Sequence, residues 1–268
     1  IKPFFSKIDI NTIKFSSINS FLFEISKKFE LKNFKIKSEM LIKEFSTKNK
    51  FDLKDILPEI KKDILFLDNK LTIEYKKDYL DIKGKGDIFI QDKKDNLEFS
   101  INKNDDILTF KSSLKIKDNP FLIDFLNYEK DKKSEVSIQY HGRQNAKNEI
   151  LIKEFSLSED ENKIELKNLA FNKNLEIIKL DSVNLDYIDK DKKKNLLNFN
   201  KKKDSYYLKG TYFNANKLID DLLFEEKDNS KIFNINSKII VDIDKIQLDN
   251  EYDLSNFVGD ITYKNKEM

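Results

Sequence analysis

Phe233-Asn234-Ile235-Asn236-Ser237-Lys238-Ile239-Ile240-Val241-Asp242-Ile243-Asp244 alternates apolar and polar side chains almost without a break. Phe233, Ile235, Ile239, Val241 and Ile243 fall on one side, and Asn234, Asn236, Lys238, Asp242 and Asp244 on the other. Only Ile240 interrupts the wet side and only Ser237 the dry one. A period of two marks a strand with one buried and one solvated face.

Working outward, the same period runs from Leu71 to Ile116. Leu71, Ile73 and Tyr75 face one way, Lys77-Asp78 can turn the chain, and Leu80, Ile82, Ile88 and Ile90 follow, with Gly84 and Gly86 on the same face. A polar turn at Asp92 to Asn96 leads to Leu97, Phe99 and Ile101, and another at Lys103 to Asp106 leads to Leu108, Phe110, Leu114 and Ile116. Connections this short join antiparallel neighbours, because parallel strands need crossovers of about a dozen residues or more. The pattern returns at Val136, Ile138 and Tyr140, at Ile164 and Leu166, at Val183, Leu185 and Tyr187, and at Tyr206 and Leu208. Apolar spacings of three at Leu180 to Val183 and Ile243 to Ile246 predict bulges or bends.

Helical periodicity is confined to Leu53–Leu67, to Phe121–Tyr128 behind Asn119-Pro120, and to Leu218–Glu225 behind Asn216. The expected fold is therefore mainly β: an extended antiparallel meander curled into an elongated groove, with a few short helices. The polar runs are exposed turns. The chain reads as one continuous β-groove segment over 1–268, with a soft boundary near 130–135. Starting at Ile1 rather than Met, it reads as part of something longer.

Composition narrows the function. The 50 basic residues are matched by 48 acidic ones, leaving a net charge of +2, and Arg143 is the only arginine. Bidentate phosphate and base recognition leans on arginine, so nucleic acid is not an expected partner. Only Ala146, Ala170 and Ala215 are alanines, whereas the 22 Phe and 10 Tyr favour strands. No cysteine is present, so thiolate metal sites and a Cys nucleophile are excluded. No apolar run approaches the ~20 residues of a membrane-spanning helix.

A catalytic constellation is also missing. His141 is the only histidine and alternates onto the wet face beside Gln139 and Arg143, where it reads as an exposed strand residue. Gly84-Lys85-Gly86 lacks the strand-to-helix setting of a phosphate loop and sits inside an alternating run. Glu159-Asp160-Glu161 and the pair Asp189 and Asp191 lack calcium-loop spacing. The expectation is no enzyme, no metal and no cofactor.

What remains is the apolar face. Periodicity does not separate a closed sandwich, such as a ligand-free surface adhesin or structural module, from a trough that holds a guest. If it is a trough, its lining is Ile73, Ile82, Ile88, Ile90, Phe99, Ile101, Phe110, Ile116, Ile138, Ile239, Val241 and Ile243.

Tyr206-Tyr207-Leu208-Lys209-Gly210-Thr211-Tyr212-Phe213-Asn214-Ala215-Asn216-Lys217-Leu218-Ile219 resembles a motif of the AsmA-like family, the YhdP and TamB group of bacterial bridge-like lipid-transport proteins. In that motif a strand ends in Gly, an aromatic or aliphatic residue precedes Asp-Ala, and a short Leu-rich helix follows. Gly210, Phe213, Asn214, Ala215 and Leu218 carry the likeness, with Asn214 standing where the family usually has Asp. Leu254-Ser255-Asn256-Phe257-Val258-Gly259 is similar to the family's Leu-x-Asn/Asp-hydrophobic-x-Gly strand, and Ile164–Leu169 and Leu180–Leu185 share its cadence. The resemblance covers about 135–263. It implies a periplasmic protein, anchored in the inner membrane by a segment outside this chain, whose β-groove carries phospholipid toward the outer membrane.

Overall fold

A computed structural model describes residues 9–50, 52–219, 237–249 and 251–263. The chain divides into two compact units, 1–120 and 121–268. The expected soft boundary near 130–135 falls inside the second.

The first unit is a single antiparallel meander. Strands β1 (Ile10–Ile25), β2 (Leu31–Lys48), β3 (Asp63–Lys76), β4 (Tyr79–Phe89), β5 (Asp95–Asn104) and β6 (Ile107–Ile116) pair in chain order. Residues directly opposite in a ladder share a face, so the registers turn sequence alternation into rows across the sheet. Ser38, Ile73, Ile82, Ile101 and Phe110 form one such row. Thr72, Lys83, Ser100 and Lys111 form the row beside it on the opposite, polar face.

The second unit opens with β7 (Leu122–Ile123), a single 3-10 turn (Asp124–Leu126) and β8 (Tyr128–Glu129). Its main sheet holds β9 (Val136–Gln144), β10 (Ile150–Glu159), β11 (Asn162–Phe171), β13 (Ser182–Ile188), β14 (Lys194–Lys202) and β15 (Ser205–Asn214), then β16 (Ser237–Gln247) and β17 (Asp253–Tyr263). A short β12 (Ile177–Lys179) pairs with β11. All neighbours are antiparallel except β15 and β16, which run parallel. The long 215–236 connection permits this, and it departs from the expected all-antiparallel order. The mainly β, mostly antiparallel reading holds, with strand at 69% and helix at 3%, so the expected helices shrink to turns.

Two of those helices are corrected. Leu53–Leu67 makes one turn, with Leu57 N–H donating to the Leu53 carbonyl, before Pro58. Ile64 to Leu67 then join β3, where they pair with β2 on one side while Leu65 to Leu67 pair with β4 on the other. Two ladders outbid one short helix lacking a donor at Pro58. Asn119 does not cap a helix either. Its amide donates to the Lys93 carbonyl (2.7 Å) and the Asp95 carboxylate (2.9 Å), while its oxygen accepts from Lys93 N–H, so it ties down the β4–β5 turn. Of the third helix only Asn216–Ile219 is described; Leu218 lies in that turn and 220–225 lie outside the described residues, as do Phe233–Asn236.

Register is held by a turn that occurs four times, at Ser26–Glu30, Asn145–Glu149, Asn172–Glu176 and Asp189–Lys193. In each, the first residue's N–H donates to the fifth carbonyl and the fourth N–H donates back to the first carbonyl. The first side chain accepts the fifth N–H at 2.9–3.1 Å, and the fourth residue is left-handed (Phe29, Asn148, Leu175, Lys192; φ 60–64°). Within strands, left-handed Asn33, Asp68 and Asn168 sit at interruptions of register. The predicted slip at Leu180–Val183 is the break between β12 and β13, whereas β16 runs through Ile243–Ile246 without one.

The glycines set a first test. A Cβ on Gly84 would meet the side-chain ends of Leu71 and Phe99 at 2.5 Å, atoms that can swing away. A Cβ on Gly86 would meet the Asn69 backbone at 2.6 Å, inside the β3 bulge, where nothing yields cheaply. Gly86→Ala is expected to cost ~2–3 kcal/mol in urea unfolding and Gly84→Ala ~1 kcal/mol or less.

Candidate functional site

The candidate site is the dry face of each sheet. In the second unit Ile138, Leu157, Ile164, Leu185, Leu197, Gly210, Ile243 and Phe257 stand opposite one another strand by strand. Leu157, Ile164, Leu185, Leu197 and Ile243 are buried. The next row runs Tyr140, Phe155, Leu166, Val183, Phe199, Leu208, Val241 and Gly259. Here the side chains from Phe155 to Leu208 are only half-buried and Tyr140 is exposed, although Val241 is covered. In the first unit Ile73, Ile82, Ile101 and Phe110 are likewise half-buried, as are Leu71 and Phe99 in the adjoining row.

Burial is most extensive at one end of each face, although Tyr206 and Val241 of the second unit and Ser38 and Ser112 of the first are buried farther along. In the first unit the 49–62 connection lies against the end of β4, with Lys61 N–H donating to the Ile90 carbonyl and Glu59 N–H to the Gln91 side chain. Leu57, Ile88, Asp95 and Ile116 are buried there. In the second unit residues 121–135 play this part. Tyr128 packs edge-on against Tyr187 at 5.9 Å, the Tyr187 hydroxyl donates to the Leu126 carbonyl, and the Tyr128 hydroxyl donates to Glu159 at 2.6 Å. Glu159, itself buried, also accepts from Asp131 N–H, the Ser134 hydroxyl and the Asn162 amide.

The residues that carry the resemblance lie toward that closed end. Gly210 stands in the apolar row, and a side chain there would run into the Leu196 carbonyl and the Leu197 methyl. Phe213, Asn214 and Ala215 are buried where β15 ends, and Leu218 is half-buried in the following turn. The Asn214 amide donates to Asp189 at 3.0 Å, its backbone N–H donates to the Asn195 side chain at 2.7 Å, and its side-chain oxygen accepts from Asn216 N–H. An Asp here could accept from Asn216 N–H but could not donate to Asp189.

Burial, followed by the Glu159 hydrogen bond, pushes the Tyr128 phenol far above its ordinary range. Burial and the charge of Asp189 do the same to Tyr187. Tyr212, shifted by burial and then by Asp189 and Asp191, is pushed up to about 12. No group of His, Asp or Glu that could hold a metal ion occurs among the described residues. His141 stands on the wet face opposite Glu154, 3.9 Å away.

Of the lining residues predicted from sequence, Ile73, Ile82, Phe99, Ile101 and Phe110 meet on the half-open face of the first unit. Ile88 and Ile116 lie at its closed end, and Ile90 follows β4 rather than sitting in it. Ile138, Val241 and Ile243 sit in the apolar rows of the second unit, and Ile239 stands opposite Tyr206. Sequence reading missed Ile36, Met40 and Ile42 of β2, which continue the first unit's rows, and left Leu157 and Leu197 out of the lining. The Ile164/Leu166 and Val183/Leu185 alternation was the available signal for those second-unit rows. No family model matches this sequence, and comparison with curated proteins and with solved structures finds no match.

Two outcomes follow from the closed end. Asn214→Asp sets a carboxylate against Asp189 and is expected to cost about 3 kcal/mol at neutral pH. The loss should shrink on acidification as the new carboxyl is protonated, read as unfolding midpoints against pH. Separately, the buried phenols hold protons that an unfolded chain releases near the ordinary value of 10.0. Their stabilisation is full below pH 10 and is lost as pH rises toward about 12 and beyond. Tyrosinate absorbance should therefore lag for Tyr128, Tyr187 and Tyr212 and rise together with unfolding.

Proposed function

We propose that the half-open apolar rows hold phospholipid acyl chains, and that the chain is a segment of a periplasmic, inner-membrane-anchored protein of the AsmA-like kind. It would move lipid between the inner and outer membranes or support envelope assembly. The observation that carries this reading is the half-burial of Ile73, Ile82, Phe99, Ile101 and Phe110 on interior strands of the β1–β6 meander. In a ligand-free sandwich a second sheet would cover such positions. Among the described residues neither unit sets two multi-stranded sheets face to face; the only other sheet is the β7–β8 pair.

Acyl chains need no specific polar ligand. Each CH₂ withdrawn from water gains ~0.8 kcal/mol, so a strip of Ile, Leu and Phe suffices. The polar face stays wet through cross-strand pairs such as Lys209–Asp242 at 2.6 Å and Lys238–Asp260 at 2.9 Å. No helix among the described residues is long and apolar enough to cross a membrane, so anchoring falls to a segment elsewhere in this reading.

The test is native mass spectrometry after incubation with vesicles of phosphatidylethanolamine and phosphatidylglycerol. The parent protein should retain lipid, and Ile101→Asp or Phe110→Asp should cut retention at least tenfold. Lys83→Asp, on the opposite face of the neighbouring strand β4, should leave it unchanged. Lipid-free parent protein, or an Ile101→Asp variant that binds as well as the parent, would overturn the reading.

A further inference from the structure

Among the described residues strand β1 lies at the edge of its sheet, without the devices that keep edges apart. It pairs with β2 along its whole length, yet every residue but Thr12 is exposed. Ile18, Phe21 and Leu22 are 76%, 58% and 63% exposed. Natural edges are blunted by Pro, Gly, bulges or abundant charge. From Thr12 to Ile25 β1 contains no Pro or Gly, and both of its register shifts there are absorbed by extra residues on β2. Among the described residues no strand pairs with the outer rim, which offers a row of backbone donors and acceptors. The last strand of the second unit, β17, differs: it carries Gly259 and a left-handed Asn256 within a shorter strand.

The side chains of β1 also match themselves in reverse. Its only charged residues are Lys14 and Glu24, and they are equidistant from Asn19. Laid antiparallel on a second copy with Asn19 opposite Asn19, Lys14 faces Glu24, Phe15 faces Phe23, Ile13 faces Ile25 and Ser17 faces Phe21. Registers displaced to either side set Lys14 and Glu24 opposite neutral residues. Oppositely charged and aromatic cross-strand pairs are the units that stabilise antiparallel sheets, and a two-fold axis makes each of these pairs occur twice. We infer that β1 is a homodimerisation edge, pairing antiparallel with β1 of a second copy of this chain about a two-fold axis at Asn19.

The chain lacks cysteine, so single-cysteine variants report register directly. In this pairing Asn19→Cys meets its own copy, whereas two Ser16→Cys residues lie about six residues apart along the ladder, roughly 20 Å. Under mild oxidation Asn19→Cys should form a disulfide-linked dimer and Ser16→Cys should not. In sedimentation equilibrium the parent should be dimeric, Glu24→Lys should weaken dimerisation at least tenfold, and adding Lys14→Glu to it should recover most of that loss. A parent that stays monomeric, equal cross-linking at 16 and 19, open-ended oligomers, or a double variant no better than Glu24→Lys would each overturn the inference.

Discussion

Everything in this protein depends on one constraint: each unit must stabilise a broad sheet although many side chains of its dry face, Ile73, Ile82, Ile101 and Phe110 among them, are only half-buried. Backbone ladders satisfy the polar groups of the interior strands but do not by themselves remove apolar surface from water. The solution differs along each face. Where Leu157, Ile164, Leu185, Leu197 and Ile243 align, burial is nearly complete. One row away, at Phe155, Leu166, Val183, Phe199 and Leu208, it is partial.

Such a sheet tolerates little slippage, because a shift of one residue would turn the whole apolar set outward. The four copies of the five-residue turn answer that need. Each closes a hairpin with the same two backbone bonds and a side-chain acceptor at its first position, so register is fixed locally before any long-range packing. Polar first residues (Ser26, Asn145, Asn172, Asp189) matter more than the fourth, which accepts left-handed geometry even as Phe29 or Leu175. The in-strand Asn33, Asp68 and Asn168 act oppositely, spending an extra residue to re-aim the strand.

These features decide what was legible in the sequence. The meander from Leu71 to Ile116 could be read because its strands alternate cleanly and its turns are short and polar. The rows it predicts, such as Ile73–Ile82–Ile101–Phe110, are those of the structure. The two longest strands, β1 and β2, were illegible: apolar residues occupy both faces of β1, and bulges at Asn33 and Lys43 break the period of β2. Leu53–Leu67 misled because Ile56, Leu57, Ile60, Ile64 and Leu67 fit a helical stripe, whereas Ile64 to Leu67 were claimed by ladders from distant strands. The parallel β15–β16 pair depends on partner choice across a long connection, which local periodicity does not encode.

The closed ends also explain why stability and the proposed lipid site need not compete. The side chains that knit the second unit together, Glu159 with Tyr128 and Asn214 with Asp189 and Asn195, gather where β10, β14 and β15 end. They are polar, buried and mutually satisfied, so they specify one arrangement, but they leave no free group to meet a guest. The half-buried rows contribute less to folding for the same reason that they would favour an acyl chain: each retains apolar surface in water that the folded chain does not remove. A guest laid there would complete a burial the protein leaves unfinished, and one end of the face could hold the fold while the remainder stayed free for a ligand.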